Sequence, residues 1–216
     1  MDAESKAVIS MVCGKRTKEN TEGLIQDFAS RCNDGNPPEL FTTDDYSCYQ
    51  DALLHVYGAW VIPERTGKPG RPREPFQTEP EMQYATVKKE RNRGRVVSVD
   101  IKQVYGTDAG LESALELSSV SNAVNTSFAE RQNGTDRHLN ARKARRTLEF
   151  SKDWEYHVCH SWFCMAYYNF CWDHRSLRVE TGDRKYAHRS PMMALGIAKH
   201  IWSVEELATY QTIAGH

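Results

Sequence analysis

Apolar and polar positions along the chain change period several times, and each change marks an element. Residues 6–12, KAVISMV, are a short apolar run rich in β-branched side chains, which predicts a strand closed by Gly14. Thr17 then stands where a helix cap belongs, ahead of a stripe carrying Leu24, Ile25 and Phe28, and Asn33, Gly35, Pro37 and Pro38 signal the stop. Residues 39–43 predict a brief strand. A second helix follows from about Asp45, with Tyr46, Tyr49, Leu53 and Val56 on its inner face and Gly58 as its C-terminal cap. Strand, helix, strand, helix is the order of an α/β layer.

Residues 63–80, PERTGKPGRPREPFQTEP, combine proline, glycine and charge, and predict an exposed loop or insertion. Beyond them, residues 83–89 and 95–105 are β-prone and meet across Asn92-Arg93-Gly94, a hairpin signal. Residues 111–117 read as a short helix. One helix then runs through Glu130 and another from Ser151 to about Trp172, where Trp154, Val158, Trp162, Met165 and Phe170 predict a thick packed side. Ser190-Pro191 and the capping box Ser203-Val204-Glu205-Glu206 mark two small helical pieces near the end.

A chain of 216 residues can bury a core without disulfides. Its six cysteines, scattered through apolar or helical patterns, are expected to be small buried side chains rather than bridges. No apolar run approaches the roughly twenty residues of a bilayer span, and the opening MDAESKAVIS lacks the pattern of a signal peptide. These features argue against a membrane or secreted class and place the chain in the cytoplasm. His160 and Cys164 are four apart on a helix, but no C-x-x-C pair accompanies them, so core packing is the better reading than zinc.

Charge changes the picture in one region. The chain has a formal net charge of -1, yet residues 131–152 carry Arg131, Arg137, Arg142, Lys143, Arg145, Arg146 and Lys152 against only Asp136 and Glu149. A merely solvated face usually balances its signs, and this one does not; it is the footprint of a polyanion-binding segment. At its head stands Glu130. Asp2, before the first predicted strand, and Asp44, at the end of another, are two further acids that an α/β sheet can bring toward it. Carboxylates are what a two-metal phosphoryl-transfer site requires, because Mg²⁺ prefers hard oxygen ligands. Asn133 and Arg137, three and seven residues beyond Glu130, share its helical face and are candidates for contact with a scissile phosphate or terminal base.

The phrases VNTSFAERQNGTDRHLNARKARRTLEFSKDWEYH and YYNFCWDHRSLR closely resemble the C-terminal half of the catalytic domain in bacterial insertion-sequence transposases of the DDE type, the family named after the first insertion sequence. DAESKAVISMVCGKRTKENTEGLIQDFASR is similar to that family's first-acid segment, TTDDYSCYQDAL to its second, and SPMMALGIAKHIWSVEEL to its closing segment. The resemblance covers nearly the whole chain, least convincingly residues 63–80.

It implies an α/β fold of RNase H-like type, with a mixed sheet flanked by helices, an inserted β-hairpin and a helical C-terminal part. Residues 1–178 would be the catalytic core and 179–216 a helical extension. It implies that Asp2, Asp44 and Glu130 hold two Mg²⁺ or Mn²⁺ ions, nick DNA at transposon ends and join the freed 3′-hydroxyl to target DNA. Asp44, directly after Thr43, fits the second acid better than Asp45. By analogy the enzyme is a homo-oligomer, bacterial and nucleoid-associated. Family members also carry a strand before the first acid and a DNA-binding region before that, whereas only Met1 precedes Asp2. The corresponding expectation is a truncated chain with Asp2 poorly fixed, and the alternative function is a catalytically inactive DNA-binding remnant. A third reading is an RNase H-like nuclease without transposition activity.

Overall fold

A computed structural model describes residues 1–32, 35–63, 76–144, 146 and 148–211. Most of the 63–80 segment and Arg145 therefore lie outside the described residues. The chain divides into two units, one formed by Gly14–Thr126 and the other by Met1–Cys13 together with Ser127–His216.

The Gly14–Thr126 unit is a mixed α/β layer. Helix α1 (Lys18–Arg31) starts as its sequence predicts, with the Thr17 hydroxyl accepting the Asn20 N–H at 3.3 Å. Strand β1 (Leu40–Asp44) and helix α2 (Cys48–Tyr57) follow. Helix α2 begins later than expected, at Cys48 rather than about Asp45, with Ser47 in the cap position. Gly58 ends α2 with extended backbone at φ -74°, so handedness does not require the glycine there. Space does, because a Cβ would press on the Leu54 carbonyl and come within 2.7 Å of the Thr78 carbonyl. Strands β2 (Trp60–Val61) and β3 (Phe76–Gln77) form a short antiparallel pair.

Strands β4 (Gln83–Asn92) and β5 (Arg95–Tyr105) make the predicted hairpin. Its turn is Arg93-Gly94, both with positive φ (48° and 83°), the backbone hand that a two-residue hairpin turn prefers. β1 runs parallel to β4 and β5 antiparallel to it, giving the order β1-β4-β5. Both faces of β4 are covered, which is why Tyr84, Ala85, Thr86 and Val87 are buried in succession. On one face Tyr84 and Tyr105 join Ile25 of α1 with Ala52 and Leu53 of α2; on the other, Ala85 and Val87 meet Val124 and helix α3 (Asp108–Leu117) through Leu111 and Leu115.

The other unit is mostly helical. Helix α4 (Ser127–Leu139) carries Glu130, and a short 3-10 turn (Ala141–Lys143) follows it. Helix α5 (Trp154–Phe170) is capped by Asp153. After α5 come a small β-hairpin, β6 (Val179–Gly182) and β7 (Lys185–Ala187), then α6 (Pro191–Ala194), capped by Ser190, and α7 (Val204–Thr209), whose Ser203–Glu206 capping box is formed. No helix among the described residues is long and apolar enough to cross a membrane.

Two expectations for this unit are corrected. Residues 6–12 are not a strand. Their extended backbone is held by side chains of α5: the Asn169 amide accepts the Val8 N–H at 3.0 Å and donates to the Val8 carbonyl at 2.9 Å, and the Tyr168 hydroxyl donates to the Lys6 carbonyl at 3.0 Å. The Asn169 amide thus supplies the two bonds that a neighbouring strand would offer. The packed side of α5 is only in part the predicted one: Phe170 packs against Ala7, Met192 and Ala198, and Val158, Trp162 and Met165 are half-buried. Ser161, Cys164, Tyr168 and Asn169 are buried, whereas Trp154 is 58% exposed. The polar positions go inside because they have partners there; buried Asn140 reaches Ser161 and Cys164 meets the Leu139 carbonyl. Of the six cysteines, all free, Cys164 is buried and Cys159 is exposed, so the expectation that all are buried does not hold.

Candidate functional site

Asp44 is the last residue of β1, at the C-terminal end of a strand parallel to β4. In open α/β sheets that edge is where ligands gather. The neighbouring Thr43 hydroxyl bonds both the Tyr84 hydroxyl and the Asp44 carbonyl, each at 2.8 Å, and so fixes the strand end. Burial pushes the Tyr84 phenol up to about 12, keeping it a neutral partner. The Asp44 carboxylate is engaged: Arg16 Nη2 lies 2.7 Å from both of its oxygens. The same guanidinium stacks over the Tyr46 ring, 4.1 Å from its centroid, and the Tyr46 hydroxyl donates to the Arg16 carbonyl at 3.1 Å. Half-buried Tyr49 has its phenol raised by burial and then by the Asp44 charge, with Arg16 opposing. Arg16 escaped the sequence reading because an ion pair spanning 28 residues leaves no local periodicity, and Tyr46, expected on the inner face of α2, instead precedes that helix and packs on Arg16.

Asp2 and Glu130 belong to the other unit. Asp2 is fixed, against expectation, by a tight turn: its carboxylate accepts the Ser5 N–H at 2.7 Å and the Ser5 hydroxyl, while its own N–H donates to the Ala7 carbonyl at 2.8 Å. Lys6, in the left-handed region at φ 60°, closes this turn and sets its ammonium 3.6 Å from the centroid of Phe128, two residues before Glu130. The Asp2 turn therefore sits against the head of α4. Burial lowers the Lys6 pKa, with Asp2 and then Glu4 opposing.

Arg131, next to Glu130, bears on two groups of the quoted YYNFCWDHRSLR segment. It lowers the Tyr168 phenol, which burial nevertheless pushes up to about 12, and it disfavours the charged form of His174. The His174 pKa lies below its ordinary 6.5, first through burial, then through Lys6 and Arg131. A histidine that gains protons more readily when unfolded stabilises the fold fully above 6.5 and loses that contribution as pH falls below it. The expected result is a melting temperature that drops from pH 7.5 toward 5.5, with a shallower drop in His174→Gln; thermal melts across that range check it.

The basic segment is not one continuous helix face. Arg131, Asn133 and Arg137 are exposed on α4; Arg142 is exposed in the turn beyond it; Arg146 and Lys152 are exposed further on. Lys143 is turned inward and bridges Asp136 at 3.0 Å, so it is a neutralised cation in this structure. Cys164 lies 3.7 Å from His160, and burial raises its thiol pKa, as expected of a packed thiol.

The donors at Asp2, Asp44 and Glu130 are carboxylate oxygens, the kind that Mg²⁺ or Mn²⁺ takes. Within neither unit do three His, Cys, Asp or Glu side chains among the described residues gather into a metal-holding group. Asp2 and Glu130 are in one unit and Asp44 in the other. Compared with protein-family models, with curated proteins and with solved structures, the chain matches none.

Proposed function

We propose that this chain is the catalytic part of a DDE transposase with an RNase H-like core, which nicks DNA at transposon ends and transfers the strand to target DNA. The observation that carries the reading is Asp44: the residue assigned as second acid from TTDDYSCYQDAL stands at the C-terminal end of a strand parallel to β4, fixed by Thr43. The mixed sheet covered on both faces agrees with the proposed core, as does Glu130 in the first turn of α4 ahead of exposed cations. Asp2, Asp44 and Glu130 would hold the divalent ions, which lower the pKa of the attacking oxygen's proton and stabilise the leaving oxygen. The chain's own contribution is to orient these carboxylates and to meet backbone phosphates with Arg131, Asn133, Arg137, Arg142, Arg146 and Lys152, and with Lys143 once Asp136 releases it. Arg145 belongs to the same proposal by sequence.

The test is cleavage of a labelled duplex carrying the DNA ends that flank the gene. Nicking in Mg²⁺ or Mn²⁺ that stops on chelation supports the reading. Binding without nicking assigns the chain to a non-catalytic DNA-binding role, and cutting without joining assigns it to a nuclease.

Arg16 has a consequence for this chemistry. A guanidinium on both Asp44 oxygens competes with any cation for the same lone pairs, and exposed ion pairs contribute only about 0–1 kcal/mol. Removing it with Arg16→Ala therefore lowers the Mn²⁺ concentration for half-maximal nicking by up to about five-fold. A titration of rate against Mn²⁺ measures this, and an unchanged or raised midpoint contradicts it.

A further inference from the structure

A concavity of the helical unit is lined by none of the three acids. It is an open groove of about 870 Å³. One wall is a single face of α5, with Tyr156, His160 and Phe163 at helical spacing; the other is the segment leading into α5, with Phe150 and Lys152, and Arg142 also lines it. The rings point outward: Tyr156 is 72% exposed and Phe150 62%. Both rings are thus accessible to a ligand entering the groove.

The charge of the lining selects among occupants. Arg142 and Lys152 are matched by Glu149 and Asp153, and Asp153 is already engaged as the cap of α5, accepting the Tyr156 N–H at 2.9 Å. A lining that is electrically balanced gives a bare phosphate little advantage. It suits a flat, neutral heteroaromatic ring, sandwiched by aromatic side chains while Arg142 and Lys152 meet the charge of its attached backbone. That combination of rings and cations within the most basic stretch of the chain is the platform on which unpaired nucleobases stack. We infer that this groove binds one or two unpaired bases of a DNA strand, such as those freed beside a nick. The inference rests on the proposed DNA-processing function and names the part of the substrate that this surface takes.

The test uses the full chain and two probes, a single-stranded thymidine oligonucleotide carrying one 2-aminopurine and a blunt duplex of equal length, at one fixed salt concentration. Phe150→Ala and Tyr156→Ala are each expected to weaken single-strand binding about ten-fold, with the 2-aminopurine signal shifted toward that of the free oligonucleotide. Duplex binding stays within two-fold of wild type. Tyr156→Phe, which keeps the ring, retains single-strand binding. Both side chains are exposed, so folding is unaffected, and a melting curve verifies that. Equal loss on both probes, or no loss on either, overturns the inference. So does a change confined to self-association in sedimentation, since the groove would then receive a second copy of the chain. Nicking of blunt duplex, abolished or not by a Glu130 variant, reports on the proposed function independently of these arms.

Discussion

Glu130→Gln is expected to lower metal-dependent nicking by about 10³-fold or more, a loss of roughly 4 kcal/mol of transition-state stabilisation. The substitution keeps the shape of the side chain and removes the charge that a divalent ion needs. Glu130 is exposed in the first turn of α4, so the amide leaves the packing of the helical unit untouched. A small stability change follows from the weaker interaction with the helix N-terminus, about 0.3–1 kcal/mol. Duplex binding should persist, because the cations of α4 and the segment beyond it remain. A gel assay of strand cleavage beside an anisotropy measurement of binding separates the two effects. Loss of both together would make Glu130 a structural residue and remove it from the proposed site.

Asn169→Leu has the largest expected effect on stability. Asn169 is buried, and its amide satisfies both the N–H and the carbonyl of Val8. Leucine has the same branched heavy-atom skeleton but leaves two main-chain groups without those partners, at about 1–3 kcal/mol each when buried. Val8 is partly exposed, so the sum belongs near the lower end, about 2–3 kcal/mol. For a chain of this length that is a fall of roughly 5–10 °C in melting temperature. Asn169→Asp, which keeps the acceptor but sets a buried carboxylate against the Val8 carbonyl, is expected to cost at least as much at neutral pH. Faster amide exchange at Val8 would locate the effect. Because residues 1–13 contain the Asp2 turn, the same variant should raise the metal requirement for nicking.

Local chemistry was legible wherever a short motif decides the backbone. The Thr17 cap, the Arg93-Gly94 turn, Ser190-Pro191 and the Ser203 capping box all form as read, since each depends on residues within a few positions. The run at residues 6–12 shows the limit. Its β-branched side chains specify extended backbone, but whether that backbone becomes a strand depends on its partner, which is a side-chain amide 161 residues away. Helix α5 shows another limit: hydropathy chose Trp154 for the packed side, whereas Ser161 and Asn169 are buried because specific hydrogen bonds receive them. The mixed sheet flanked by helices is present, and Asp44 stands at the strand end where sequence placed it. Arg16 on that carboxylate was not legible, and neither was Lys6 over Phe128, since both are contacts between distant positions that no periodic pattern encodes.

The proposed sharing of divalent cations by Asp2, Asp44 and Glu130 is open to localised oxidative cleavage. Fe²⁺ is substituted for Mg²⁺, with ascorbate and peroxide added, and the backbone breaks are mapped by mass spectrometry. Breaks are expected beside all three acids, suppressed by excess Mg²⁺ and lost together in Glu130→Gln. Breaks beside none of them, or beside one alone and insensitive to Mg²⁺, would contradict the sharing.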